Sequence, residues 1–146
     1  MKRFLLMLVS FLAVVLIACG NNSEAQAASG GKGQIGDYVE VLYFHGKQRC
    51  LTCRSIEQNT RELLSSKFSR QMKDGKVVFR IIDISKDENR KMAQKYQVSW
   101  SSLFVVSHKN GKEYSENLTE FAFGNSRSAP DKFKSGLAEK ITQALR

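Results

Sequence analysis

Long apolar runs, prolines and cysteines are all scarce in this chain. No apolar stretch reaches the roughly 20 residues that a membrane-crossing helix requires. Proline occurs once, at Pro130, and cysteine three times, at Cys19, Cys50 and Cys53. No internal repeat is present, which excludes a solenoid or propeller. Acidic residues are the minority, 14 against 23 Lys and Arg, giving a formal net charge of +9. The basic residues are nevertheless scattered, with no run of five or six and no aromatic-and-basic motif of an RNA-binding sheet. That spacing argues against a nucleic-acid partner and for a solvated basic surface; beside a membrane, the same surplus favours anionic headgroups. With 146 residues, 42% hydrophobic and 25% charged, the chain suits one domain with a core of useful size.

The first residues read as a targeting segment. Lys2 and Arg3 precede "FLLMLVSFLAVVLI", Phe4 to Ile17, an apolar region of signal-peptide length. It runs into "LIAC", Leu16 to Cys19, which resembles the lipobox of bacterial lipoproteins. There the peptide is cut before the cysteine and the cysteine sulfur takes a lipid. A competing cut follows "AQA", Ala25 to Ala27; the lipobox is favoured because it abuts the apolar region. An uncleaved anchor would equally leave the domain outside the cytoplasm. Residues 1–19 are thus expected to be a lipoprotein signal peptide with lipidation at Cys19. Residues 20–36, small and polar, read as a flexible tether with an end-to-end distance of roughly 20–25 Å. The resemblance implies a bacterial cell envelope, with the domain lipid-anchored on the periplasmic or extracellular side. Cys50 and Cys53 then remain as the only thiols, in a compartment where disulfides persist.

Residues 37–146 carry the folded domain. "YVEVLYF", Tyr38 to Phe44, predicts a mostly buried strand interrupted by Glu40. From Cys53 onward Ile56, Thr60, Leu63, Leu64 and Phe68 fall at helical offsets, with Glu57 and Arg61 as a favourable i,i+4 pair. Gly75 ends this region. "KVVFRIIDI", Lys76 to Ile84, predicts a second strand, and "KDENRKMAQKY" a helix with a thin stripe of Met92 and Tyr96. "SLFVVSHK", Ser102 to Lys109, predicts a third strand. Asn110-Gly111 turns it back into an antiparallel fourth, "KEYSENL". Phe133, Leu137, Ile141 and Leu145 mark a C-terminal helix, with capping-box chemistry from Ser128 to Asp131 and Pro130 in its first turn. The order β-α-β-α-β-β-α implies an α/β domain with a parallel pair joined by a right-handed crossover, its mixed central sheet covered by helices on both faces.

Cys50 falls at the predicted helix start and Cys53 one turn inside. Unpaired N–H groups at a helix start favour a thiolate, and Lys47, Arg49 and Arg54 add positive charge. The spacing lets Cys53 reach back to Cys50, the arrangement of a dithiol that attacks, forms a mixed disulfide and is resolved by its neighbour. A structural disulfide closing so short a loop would contribute little.

Strand, loop, C-x-x-C and helix in this order resemble a thioredoxin-like domain over residues 37–146. The resemblance implies thiol–disulfide exchange with Cys50 attacking and Cys53 resolving, and no organic cofactor. Disulfide- or thiol-bearing proteins and a membrane redox partner would be its partners. It also places "WSS", Trp100, Ser101 and Ser102, in the substrate groove. "YFHGKQRCLTC" further resembles a small group of bacterial thioredoxin-like proteins labelled nitrophenyl compound nitroreductase subunits.

The sequence departs from the family in three places. Ser102 stands where the family has a cis-proline, so the preceding peptide is expected to be trans or strained. Tyr43 stands where the family buries a proton-accepting acid in the first strand; Glu40 is out of register, and His45 is the candidate substitute. The dipeptide between the cysteines is Leu-Thr. These departures keep two alternatives open. One is a metal-handling module with Cys50, Cys53 and His45 presenting a soft site for Cu(I) or a shared Fe–S cluster. The other is a redox-inert interaction subunit.

Overall fold

The computed structural model describes residues 36–146. The signal segment, Cys19 and nearly all of the tether lie outside the described residues. Strand β1, Tyr38–His45, pairs in parallel with β2, Val77–Asp83, in a register running from Val39↔Val77 to His45↔Asp83. On its other side β1 pairs antiparallel with β3, Ser102–Lys109. β4, Lys112–Asn117, adds antiparallel to β3, and the sheet order is β2-β1-β3-β4. Asn110 and Gly111 both have positive φ, 50° and 73°, as a two-residue hairpin turn matched to strand twist requires.

Helix α1, Leu51–Lys67, forms the first half of the crossover and buries Cys53, Ile56, Thr60, Leu63 and Leu64. Phe68 breaks it and joins it to α2, Ser69–Lys73. Gly75, at φ 68°, then admits the left-handed turn into β2. A short 3-10 turn, Asp87–Asn89, leads into α3, Arg90–Lys95. After β4 come α4, Thr119–Asn125, and α5, Pro130–Ala144.

Alternation along β1 divides the core. Val39, Val41 and Tyr43 face a large cluster with Ile56, Leu64, Phe133, Leu137 and Ile141 from α1 and α5. Leu42 and Phe44 face the other side, where Ile82, Phe104 and Val106 pack with Met92 and Tyr96. The thin stripe expected of α3 is therefore what covers the second face. Glu40 belongs to that face too. Its carboxylate accepts from Arg80 at 3.4 Å and lies 2.9 Å from Nε2 of His108, whose ring stacks on Tyr38.

Two expectations need correction. No capping box forms at α5, because the helix begins at Pro130 with Ala129 as its N-cap. The Ser128 hydroxyl instead donates to the Gly124 carbonyl at 2.9 Å, closing the end of α4. Helix α4 itself was not anticipated; it buries Thr119 and Ala122 after the fourth strand.

Candidate active site

The end of β1 and the start of α1 bring the two cysteines together. Cys50 is the N-cap of α1, with extended φ −70° and ψ 170°, and its sulfur accepts the Cys53 N–H at 3.3 Å. A negative sulfur there meets the unpaired N–H groups of the first turn. Cys50 is exposed, while Cys53 is only 5% exposed. Their sulfurs lie 2.9 Å apart, beyond the roughly 2.05 Å of a disulfide bond. Both are free thiols, poised for closure.

Cys53 has two further neighbours. The Tyr43 phenol, fully buried, donates to the Cys53 carbonyl at 2.7 Å. Ser101 Oγ lies 3.4 Å from the Cys53 sulfur. Burial pushes the Cys53 thiol up, but hydrogen bonds with Cys50, Ser101 and Tyr43 outweigh it and hold it below the ordinary thiol value. Tyr43 moves the opposite way: burial, then the neighbouring Cys53, pushes its phenol well above the ordinary value. The position that the family fills with an acid is thus held by a group that keeps its proton. Glu40 lies toward the opposite end of β1, with Arg80 and His108.

The other candidate residues are spread around this pair. Arg49 pairs with Glu57, and its guanidinium stands 5.7 Å from the Tyr43 ring centroid, so its charge is shared with those groups. Lys47 is exposed in the loop. His45 Nδ1 donates to the Gly46 carbonyl at 2.9 Å. Among the described residues no three His, Cys, Asp or Glu side chains converge. Trp100 is 58% exposed and its ring lies 5.4 Å from that of Phe123, which places it on the surface and not in the core. With Tyr96, Ser102, Phe104, Thr119 and Glu120 it lines a groove of about 380 Å³. Ser102 turns its hydroxyl to the Trp100 carbonyl at 3.1 Å, and the peptide before it is trans, since no described peptide is cis. Leu51, 65% exposed, follows Cys50 immediately. Sequence reasoning missed the Tyr43–Cys53 and Arg49–Glu57 contacts; an aromatic residue in place of the family acid was the one available signal.

Comparison with known proteins places the fold. The chain is similar to Fasciola hepatica thioredoxin, at 21% identity over 73% of this chain and 81% of that one, with a TM-score of 0.47. It is also similar to the Trx4 domain of ERdj5, at 16% identity over 75% and 81%, with a TM-score of 0.50. A thioredoxin from Thermus thermophilus gives 17% identity over 73% and 72%, and a TM-score of 0.46. No family model and no curated protein matches the chain. The likeness to the ERdj5 domain, together with the mixed four-stranded sheet, establishes a thioredoxin-like α/β fold.

Proposed function

We propose that this chain is a thiol–disulfide oxidoreductase. The observation that carries the reading is the pairing of an exposed N-cap sulfur, Cys50, with a buried sulfur 2.9 Å away, Cys53. The Cys50 thiolate attacks one sulfur of a substrate disulfide. That bond breaks, a Cys50–substrate disulfide forms, and the second substrate sulfur leaves as a thiolate and takes a proton from solvent. Cys53 then loses its proton and its sulfur attacks that of Cys50. The Cys50–Cys53 bond forms, the first substrate sulfur is released, and two electrons have passed to the substrate. The reverse sequence oxidises a substrate dithiol. No organic cofactor enters either direction. The exposed Trp100 and the groove beside it, with Ser101 and Ser102, form the docking side, and Lys47 adds positive charge near the attacking sulfur.

The lipobox reading of "LIAC" places the domain outside the cytoplasm, held by a lipid on Cys19. Its partners there are envelope proteins with exchangeable disulfides and a membrane redox partner. The test is turnover: the purified chain is expected to reduce insulin or reshuffle a scrambled disulfide protein, and Cys50→Ser to abolish both. Equal turnover by wild type and Cys50→Ser would overturn the reading. Unchanged cellular function in the double serine variant would favour the interaction-subunit reading that the nitroreductase-subunit resemblance suits.

A further inference from the structure

Resting on the exchange reading, the geometry points to Ser101 as the group that carries the Cys53 proton away and then steadies the Cys53 sulfur during resolution. Resolution begins with Cys50 already bonded to a substrate, so the Cys50 sulfur can no longer exchange a proton with its neighbour. Among the other candidates, His45 gives Nδ1 to the Gly46 carbonyl and makes no hydrogen bond to Cys53; the rest are committed elsewhere. The Tyr43 phenol donates to the Cys53 carbonyl at 2.7 Å. Glu57 is held by Arg49 and Arg61. Glu40 sits with Arg80 and His108. Asp83 is turned to the backbone N–H and hydroxyl of Ser85. Ser102 Oγ donates to the Trp100 carbonyl.

Ser101 Oγ, 3.4 Å from the Cys53 sulfur, accepts its hydrogen bond. Ser101 is held in place by the strand it precedes, since Ser102 pairs with Phe44 at the end of β1. At 9% exposure it keeps a little access to solvent, more than the 5% of Cys53. A hydroxyl both accepts and donates. It takes the hydrogen bond of the Cys53 thiol, passes its own proton outward to water, and turns to donate to the thiolate left behind. The thiolate electron pair then forms the Cys50–Cys53 bond, and the departing substrate sulfur takes a proton from solvent. Atoms and charge balance with no acid–base carboxylate.

The test follows the two steps separately in the full chain, with a bis(nitrobenzoate) disulfide whose released thiolate is coloured. The first equivalent released reports attack by Cys50, the second resolution by Cys53. Ser101→Ala is expected to slow the second release relative to the first by about tenfold, the order that one hydrogen bond to a charged group supplies. The pH midpoint of that second step moves upward, and Ser101→Thr, which keeps the hydroxyl, restores both rate and midpoint. An unchanged ratio and midpoint in Ser101→Ala would overturn the assignment, as would a threonine variant as slow as the alanine one. A wild-type chain that releases no second equivalent would instead sink the oxidoreductase reading itself, and this assignment with it.

Discussion

Cys50 and Cys53 differ in every respect that matters to a sulfur: one caps a helix at the surface, the other hangs from its first turn in the core. The capping position was legible from sequence, because Ile56, Leu63 and Leu64 fix the helical phase and so place Cys50 before it. The contact with Ser101 was not legible as such, since it joins residues 48 apart and depends on strand register. The depressed Cys53 thiol has a consequence for stability. A group whose ionisation is easier in the folded than in the unfolded chain stabilises the fold above its unfolded value, and this gain is lost as pH falls through the folded one. The reduced chain should therefore gain thermal stability, relative to Cys53→Ala, as pH rises toward the ordinary thiol value of 9.0. Thermal midpoints of both variants across that window check the sign. A difference independent of pH would contradict it.

Elements with a clear apolar period were readable, and those set by local hydrogen bonding were not. β3 runs from Ser102 to Lys109 as its apolar run and turn signal indicate, and α5 buries Phe133, Leu137 and Ile141 on one face. α4 escaped notice because seven residues give barely two turns, too few for a period to show. It also captures Ser128, drawing that hydroxyl back to Gly124 and leaving α5 without a side-chain cap. Ala129 is thus an N-cap of a type that satisfies no helical N–H. Ala129→Asp is expected to stabilise the protein by about 0.5–2 kcal/mol. Urea denaturation of the two proteins measures it, and a lower midpoint for the aspartate variant would contradict it.

Across the whole molecule, polar chemistry is divided between the two ends of the sheet. One end carries the cysteines, where β1 and β2 finish and β3 begins. Toward the other end Glu40, Arg80 and His108 join β1, β2 and β3 through a carboxylate that is largely buried. Glu40→Gln should cost about 1.5–3 kcal/mol, the range for hydrogen bonds to a charged group. Its thiol-exchange rates should nevertheless match wild type, because no Glu40 contact reaches Cys50 or Cys53. Denaturation and exchange kinetics on one preparation test both halves. A slowed exchange would mean that the two ends communicate.

The direction of β1 also sets the distance between the entry of the sheet and the Cys50 sulfur. The chain enters this strand at Tyr38 and leaves it at His45, a few residues before Cys50. Eight residues at about 3.3 Å each make a rigid arm of about 26 Å. The entry of the strand at Tyr38 and the sulfur of Cys50 therefore stand at opposite ends of that arm.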